Sequence, residues 1–165
     1  MSCVCTLEGK ALIAVLIPRQ ILTDLCARAI PSQPTNETGG ILLGFRKALG
    51  LQITNTTYAQ CRDSASPSLF KRSKHGHSEI AAELWTRSRG TIDWVGEWHT
   101  HPNGIASPSH IDVRSWRFLV SQVDKPMVFI ISNGKRVYVG LQEPTGSLVR
   151  KMTIQEMDGD SILFI

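Results

Sequence analysis

The chain has 165 residues, a hydrophobic fraction of 42%, a charged fraction of 19% and a net charge of +4. Those values fit one soluble globular domain over residues 1–165 with room for a sizeable core. They do not fit a nucleic-acid binder, because basic and aromatic residues are not interleaved as single strands require, or a membrane protein, because the apolar Ala11–Ile17 run is too short and is stopped by Pro18.

No signal peptide is legible in Met1 to Lys10. The four cysteines, Cys3, Cys5, Cys26 and Cys61, form no C-x-x-C pair. Free thiols in a reducing, cytoplasmic setting are therefore expected. Leu12 to Ile17 is a continuous apolar run of strand length, and Pro18 then suits a helix start. Ile21, Leu22, Leu25, Cys26 and Ala29 recur at helical spacing, and Pro31 and Pro34 end the helix before a polar loop, Ser32 to Asn36. Glu37 follows that loop. Gly39-Gly40 permits close backbone approach, and Ile41 to Phe45 reads as a core strand. A carboxylate at the edge of such a strand is partly desolvated, which raises its pKa and suits a general base.

Leu51 to Gln60 alternates as a strand. Asp63 to Leu69, rich in Ser and Pro, reads as a loop, and Phe70 to Arg72 as a short strand. Basic residues gather at Arg62, Lys71, Arg72 and Lys74, where an acidic partner surface would be favoured. His75-Gly76-His77 reads as a flexible loop without a carboxylate at ligand spacing. Ser78 then caps a helix through Trp85 that ends near Gly90.

Val95 to His101 reads as a strand stopped by Pro102. Straight alternation puts Val95, Glu97, His99 and His101 on one face and Trp94, Trp98 and Thr100 on the other. His99 and His101, about 7 Å apart along that face, can tilt toward one ion. Asp112, in the Ser109-x-x-Asp112 start of a helix over Ser109 to Val123, can add a carboxylate oxygen. Three protein ligands with one open position is the catalytic zinc arrangement. Glu97, one strand step before His99, is expected to support a ligand imidazole and is the rival to Glu37 as base. Beyond Pro126, Met127–Ile131 and Arg136–Leu141 form a hairpin at Asn133-Gly134. Leu148–Ile154 and Ile162–Ile165 read as edge strands. Mixed strands and helices imply an α/β fold, a mixed central sheet flanked by helices.

The run His99-x-His101-Pro102, Ser109 and Asp112, with Glu37 in Glu37-Thr38-Gly39-Gly40 upstream, resembles the JAMM (MPN+) zinc isopeptidases. That resemblance covers about residues 37–112. It implies one Zn²⁺ per chain held by His99, His101 and Asp112, with Glu37 as acid–base residue and Ser109 donating to the oxyanion. It also implies a cytidine-deaminase-like fold. Many family members carry a large apolar residue where this chain has Glu97. The wording of the two motifs is most similar to the stand-alone bacterial JAMM deconjugases of CBASS anti-phage operons. The implied substrate is a protein with an extended C-terminal tail, such as a conjugated cyclic-oligonucleotide synthase. The expected groove walls are the loops Asn103–Ser107 and Asp63–His77. Processing of a sulfur-carrier or other ubiquitin-like protein, or a non-catalytic scaffold role, are the alternatives. A nucleobase hydrolase would need P-C-x-x-C ligands, which are absent.

Overall fold

A computed structural model describes residues 13–30 and 36–165 of the chain. Cys3, Cys5, Leu12, the Pro31 and Pro34 helix stops and residues 32–35 of the expected loop lie outside those residues. In chain order the elements begin with β1 (Ala14–Pro18), α1 (Arg19–Arg28), β2 (Gly39–Lys47), β3 (Gly50–Thr56), β4 (Ser64–Ser66), β5 (Leu69–Lys71) and α2 (His77–Arg87). They continue with β6 (Asp93–Thr100), α3 (His110–Val123), β7 (Met127–Ser132), β8 (Val137–Gln142), β9 (Arg150–Lys151), β10 (Ile154–Asp158) and β11 (Ser161–Phe164). Nine strands form one mixed sheet in the order β10-β11-β1-β3-β2-β6-β7-β8-β9, and β4 and β5 form a separate hairpin. The β1–β3 and β6–β7 pairs are parallel and the remaining pairs antiparallel. This is the expected mixed α/β architecture. Among the described residues no helix is long and apolar enough to cross a membrane.

Helices cover both faces of the sheet. Ile21, Leu22 and Leu25 of α1 pack with Leu42, Ile53, Trp98, Val128 and Ile130 on one side. Trp116 and Val120 of α3 pack with Met127, Phe129 and Ile131 on the other. Successive residues of β7 thus enter opposite cores, which is why that strand is one unbroken apolar run. Burying each such side chain stabilises the fold by about 1.5–3 kcal/mol. Trp116 stacks on Phe129 with ring centroids 4.5 Å apart.

Four expectations need correction. The third strand stops at Thr56, not Gln60, because the Ile41 amide donates to the Thr57 hydroxyl instead of the Thr57 carbonyl, which accepts from the Trp98 indole. Asp63 to Leu69 is not all loop: Ser64–Ser66 pairs with Leu69–Lys71, and the Glu37 amide donates to the Ser66 carbonyl at 2.9 Å. The second helix starts at His77, because the Glu79 carboxylate takes the Gly76 amide at 2.6 Å and makes Gly76, not Ser78, its N-cap. Finally, β11 is not an edge strand but sits between β10 and β1 with Ile162 and Phe164 inward.

The face assignment along β6 is also corrected. Pairing with β2 shifts between Leu42↔Gly96 and Leu43↔Trp94, so Val95 is an extra residue in a bulge. Alternation therefore changes phase there. Val95 joins Trp98 in the α1-side core, whereas Trp94 packs toward the α3 side, where His99 meets Trp116.

One polar cluster ties β2 to β6 and to the start of β7. Arg46 donates to Asp93 Oδ2 at 2.8 Å, to the Trp94 carbonyl at 2.7 Å and to the Pro126 carbonyl. Burial acts to raise the Asp93 carboxyl, but the Arg46 hydrogen bond and charge hold it below its ordinary 3.8. A lowered carboxyl stabilises the fold above its unfolded pKa, and that contribution is lost as pH falls through the folded value. Arg46→Ala is expected to cost about 2 kcal/mol near neutral pH, since it leaves the half-buried Asp93 carboxylate with only Lys125 and the Trp94 amide and removes the donor to two carbonyls. The gap to the parent chain should narrow below about pH 4. Urea unfolding at pH 7 and pH 3 measures both, and an equal loss at the two values contradicts the assignment.

Candidate metal centre

The β2–β6 register builds the site. Gly39 lies opposite His99, so continuing the antiparallel pairing two residues outward sets Glu37 against His101. Reciprocal bonds hold those ends together. The Thr100 amide donates to the Thr38 carbonyl at 2.8 Å, and the Thr38 amide donates to the Thr100 hydroxyl at 3.0 Å. Gly39 is required by close approach: a Cβ there would lie 2.5 Å from the Trp98 carbonyl and 2.6 Å from the Phe70 ring. His101 lies one residue past β6, its amide donating to the Ser132 carbonyl of the neighbouring strand.

Helix α3 brings the third partner. Ser109 is its N-cap: the Ser109 hydroxyl accepts from the Asp112 amide at 3.2 Å, and the Asp112 carboxylate accepts from the Ser109 amide at 2.6 Å. This reciprocal cap points Asp112 at the two histidines.

The donor atoms converge. His99 Nε2 lies 3.1 Å from His101 Nε2, and Asp112 oxygens lie 3.3 Å from His99 Nε2 and 3.6 Å from His101 Nε2. Glu37 Oε1 is 3.7 Å from His101 Nε2. Glu37, His99 and His101 each offer a donor atom within 4.8 Å of the others. Ligands about 2.0–2.1 Å from a tetrahedral ion stand about 3.3 Å apart, which matches these spacings. The tautomer matches as well. His101 Nδ1 donates to the Ile105 carbonyl at 3.0 Å, so in the neutral ring Nε2 presents a lone pair to the cluster. Two imidazole nitrogens and two carboxylates facing one point could hold a metal ion.

Electrostatics agree with that reading. Burial pushes the Glu37 carboxyl up, more strongly than the facing His99 and His101 pull it down. Burial also acts upward on Asp112, but hydrogen bonds from His101 and His99 hold it far below its ordinary 3.8. His101 is raised by its hydrogen bond to Asp112, against burial. One carboxylate is thus held as an anion, and the other is pushed in the opposite direction.

All five expected residues, Glu37, His99, His101, Ser109 and Asp112, meet in one place. Glu97 does not join them. Its Oε1 is taken by the Arg72 guanidinium, at 2.9 Å from Nε and 2.7 Å from Nη2, instead of by a ligand imidazole. His77 is not on a flexible loop. It is fully buried, with Nε2 3.0 Å from Asp63 Oδ2, a carboxylate too distant in sequence for the spacing to reveal.

Two recesses open beside the cluster. One, of about 270 Å³, is lined by Glu37, His101, Ser109 and Asp112 together with Pro67, Ser68 and Leu69 of the β4–β5 turn and Asn103 and Gly104 of the opposite loop. A second, of about 100 Å³, continues past His99, Glu97 and Trp116, and shares Leu69, Ile111 and Asp112 with the first. Leu69, Ile105 and Ile111 are exposed large apolar side chains. The supporting residues that spacing did not reveal are Arg72, Trp116 and the Ile105 carbonyl. Of these, only Trp116 left a signal, as an apolar position on α3.

Residues 18–146 match the family described as prokaryotic homologues of the JAB domain. A Pseudomonas aeruginosa protein named CD-NTase/cGAS isopeptidase is 37% identical over 112 residues, 67% of this chain and 71% of that one. Proteins of the same name from Vibrio cholerae and Escherichia coli are 30% identical over 129 residues and 29% identical over 126, covering 78% and 76% of this chain and 82% and 80% of theirs. In fold, the chain is similar to the solution structure of a Desulfitobacterium hafniense protein, with TM-score 0.57 and 22% identity over 82% of this chain and 87% of that one. A Salinibacter ruber protein matches with TM-score 0.53 and 20% identity, over 87% of this chain and 92% of that one.

Proposed function

The chain belongs to the family of prokaryotic JAB-domain homologues, and from that membership we propose that it is a zinc-dependent isopeptidase that releases a CD-NTase, a cyclic-oligonucleotide synthase, from proteins to which its C-terminal tail is joined. The setting we infer is cytoplasmic anti-phage defence by one catalytic domain spanning the chain, on the cytidine-deaminase-like fold. The observation that carries the proposal is the convergence of two imidazoles and two carboxylates in an open groove, with one carboxylate pinned as an anion and the other pushed up by burial. The isopeptidase names of the relatives support the reaction class.

In this reading His99, His101 and Asp112 hold the ion. Zinc, when bound, supplies Lewis acidity and a fourth position open to water and to the scissile carbonyl. The residues do the rest. The His101 ring is fixed by its Nδ1–H bond to Ile105, and Asp112 by its cap on α3. Glu37 takes a proton from the attacking water and returns it to the leaving lysine amine, so its raised pKa serves both halves of the cycle. Ser109 lines the same recess, and its single hydroxyl proton, directed here at the Asp112 carboxylate, turns from that carboxylate to donate to the developing oxyanion.

The two joined recesses suit an extended chain better than a compact ligand. A tail lying there would place its carbonyl over the ion, while Leu69 and Ile111 hold apolar side chains. The test uses a CD-NTase from the same operon, its C-terminus fused to a reporter and mixed with zinc-loaded protein. Cleavage at the junction is expected, and altering a tail residue that enters a pocket should slow it about tenfold. Cleavage indifferent to tail sequence and length would move recognition to the globular body.

A further inference from the structure

A second polar cluster, separate from the metal centre, lies under the β4–β5 hairpin. His77 is fully buried, Thr57 is 2% exposed and the Asp63 side chain 3%. Thr57 Oγ1 lies 2.6 Å from His77 Nδ1, and Asp63 Oδ2 lies 3.0 Å from His77 Nε2. The Thr57 oxygen also accepts from the Ile41 amide at 2.9 Å, and Asp63 accepts from the amides of Gln60 and Ser73, each at 2.7 Å. An anionic Asp63 accepts only, so Nε2 carries the ring proton and Nδ1 accepts from the Thr57 hydroxyl. Every donor and acceptor in this chain of groups has a partner. The order hydroxyl, imidazole, carboxylate is that of a nucleophile relay, but a hydroxyl buried this deeply meets no substrate.

Its use lies in what it fastens. The Asp63 carboxylate closes the segment from Gln60 to Ser73 on itself, and His77 ties that closed segment to Thr57, hence to Ile41 of β2. The hairpin inside it grips Glu37 at two points. The Glu37 amide donates to the Ser66 carbonyl at 2.9 Å, and the Phe70 backbone faces the Glu37 carboxyl and acts to lower its pKa. The Phe70 ring lies against Gly39, two residues on. At the far end of the hairpin Arg72 is held by Glu97.

We propose that Thr57, His77 and Asp63 are positioning residues that clamp the β4–β5 hairpin to the sheet and, through its bonds to Glu37, set the place of the proton-transfer carboxylate. The inference rests on the role given above to Glu37. It predicts a loss in the chemical step through Glu37, accompanied by weaker substrate capture because Pro67, Ser68 and Leu69 of the same hairpin line the recess.

The test compares His77→Leu, which removes both bonds, with His77→Gln, whose amide can still donate to Asp63. Amide hydrogen exchange is followed in zinc-loaded protein, with β7 as internal reference, and kcat and KM are measured on the tail fusion. His77→Leu is expected to speed exchange over residues 66–70 about tenfold with β7 unchanged, and to lower kcat about tenfold, with any rise in KM smaller than that loss. His77→Gln should recover part of both. Unchanged exchange at 66–70, a rise spread equally over β7, or a loss confined to KM would each overturn the clamp. If His77→Leu does not fold, Asp63→Asn, which keeps the shape and weakens the same bonds, decides by the same readings. If the parent protein cleaves no tail fusion, the isopeptidase reading fails instead, and the exchange pattern alone decides whether the hairpin is clamped.

Discussion

Glu37→Ala is expected to retain zinc and to lose at least about a hundredfold in turnover, the low end for removal of a general acid–base group. Glu37 is 7% exposed, and burial raises its carboxyl above the ordinary carboxylate value, the direction that suits a group accepting and returning a proton. Its Oε1 stands 3.7 Å from His101, beside the donor cluster and within one small molecule of an ion placed there. Glu97→Ala is the control. Its oxygen is engaged by Arg72, so its loss frees the end of the β4–β5 hairpin and should cost less. Single-turnover rates and metal content of the two variants measure this, and the reverse order of damage would transfer the role to Glu97.

His99→Ala and Asp112→Ala are expected to lose the metal itself. Each removes one of three proposed ligands, and the loss should exceed the roughly ten- to hundredfold typical when a supporting partner is removed. Asp112 also caps α3 through the Ser109 amide, so Asp112→Ala will lower stability by about 1 kcal/mol. Asp112→Asn separates the two effects: an amide oxygen can keep the cap, whereas the anionic ligand is gone. Metal analysis after dialysis, with thermal unfolding to confirm folding, checks the assignment. Full zinc occupancy in both alanine variants would remove His99 and Asp112 from the ligand set.

The centre was legible because its spacing is local. His99, His101 and Asp112 lie within fourteen residues, on a strand end and a helix start that each announce themselves, and Pro102 and Ser109 mark the turn between. Glu37 was legible from Gly39-Gly40 together with the resemblance, since a loop-edge glutamate alone carries no signal. The central strands and α1 and α3 follow from apolar periodicity. What sequence could not supply was anything decided by distant contacts. The Ser64–Ser66 strand has weak β propensity and forms beside residues bonded to Glu37. His77 looks like a loop histidine until Asp63 and Thr57, fourteen and twenty residues away, are folded around it. Glu97 looked like a support for His99 because Arg72 is twenty-five residues upstream.

The extra residue in β6 ties the site to the parity of the chain. Side chains on a strand have only two possible orientations, so the odd residue at Val95 decides which half of β6 looks which way. A three-nucleotide deletion there would leave composition almost untouched. It would nevertheless force a choice between turning His99 away from Asp112 and turning the Trp94 end of the strand toward the α1 side. Trp98, buried with its indole N–H on the Thr57 carbonyl, opposes the first choice, and the Arg46–Asp93 pair opposes the second. Insertions and deletions in this strand should therefore survive in pairs, or at the ends, far more readily than singly between Trp94 and His99.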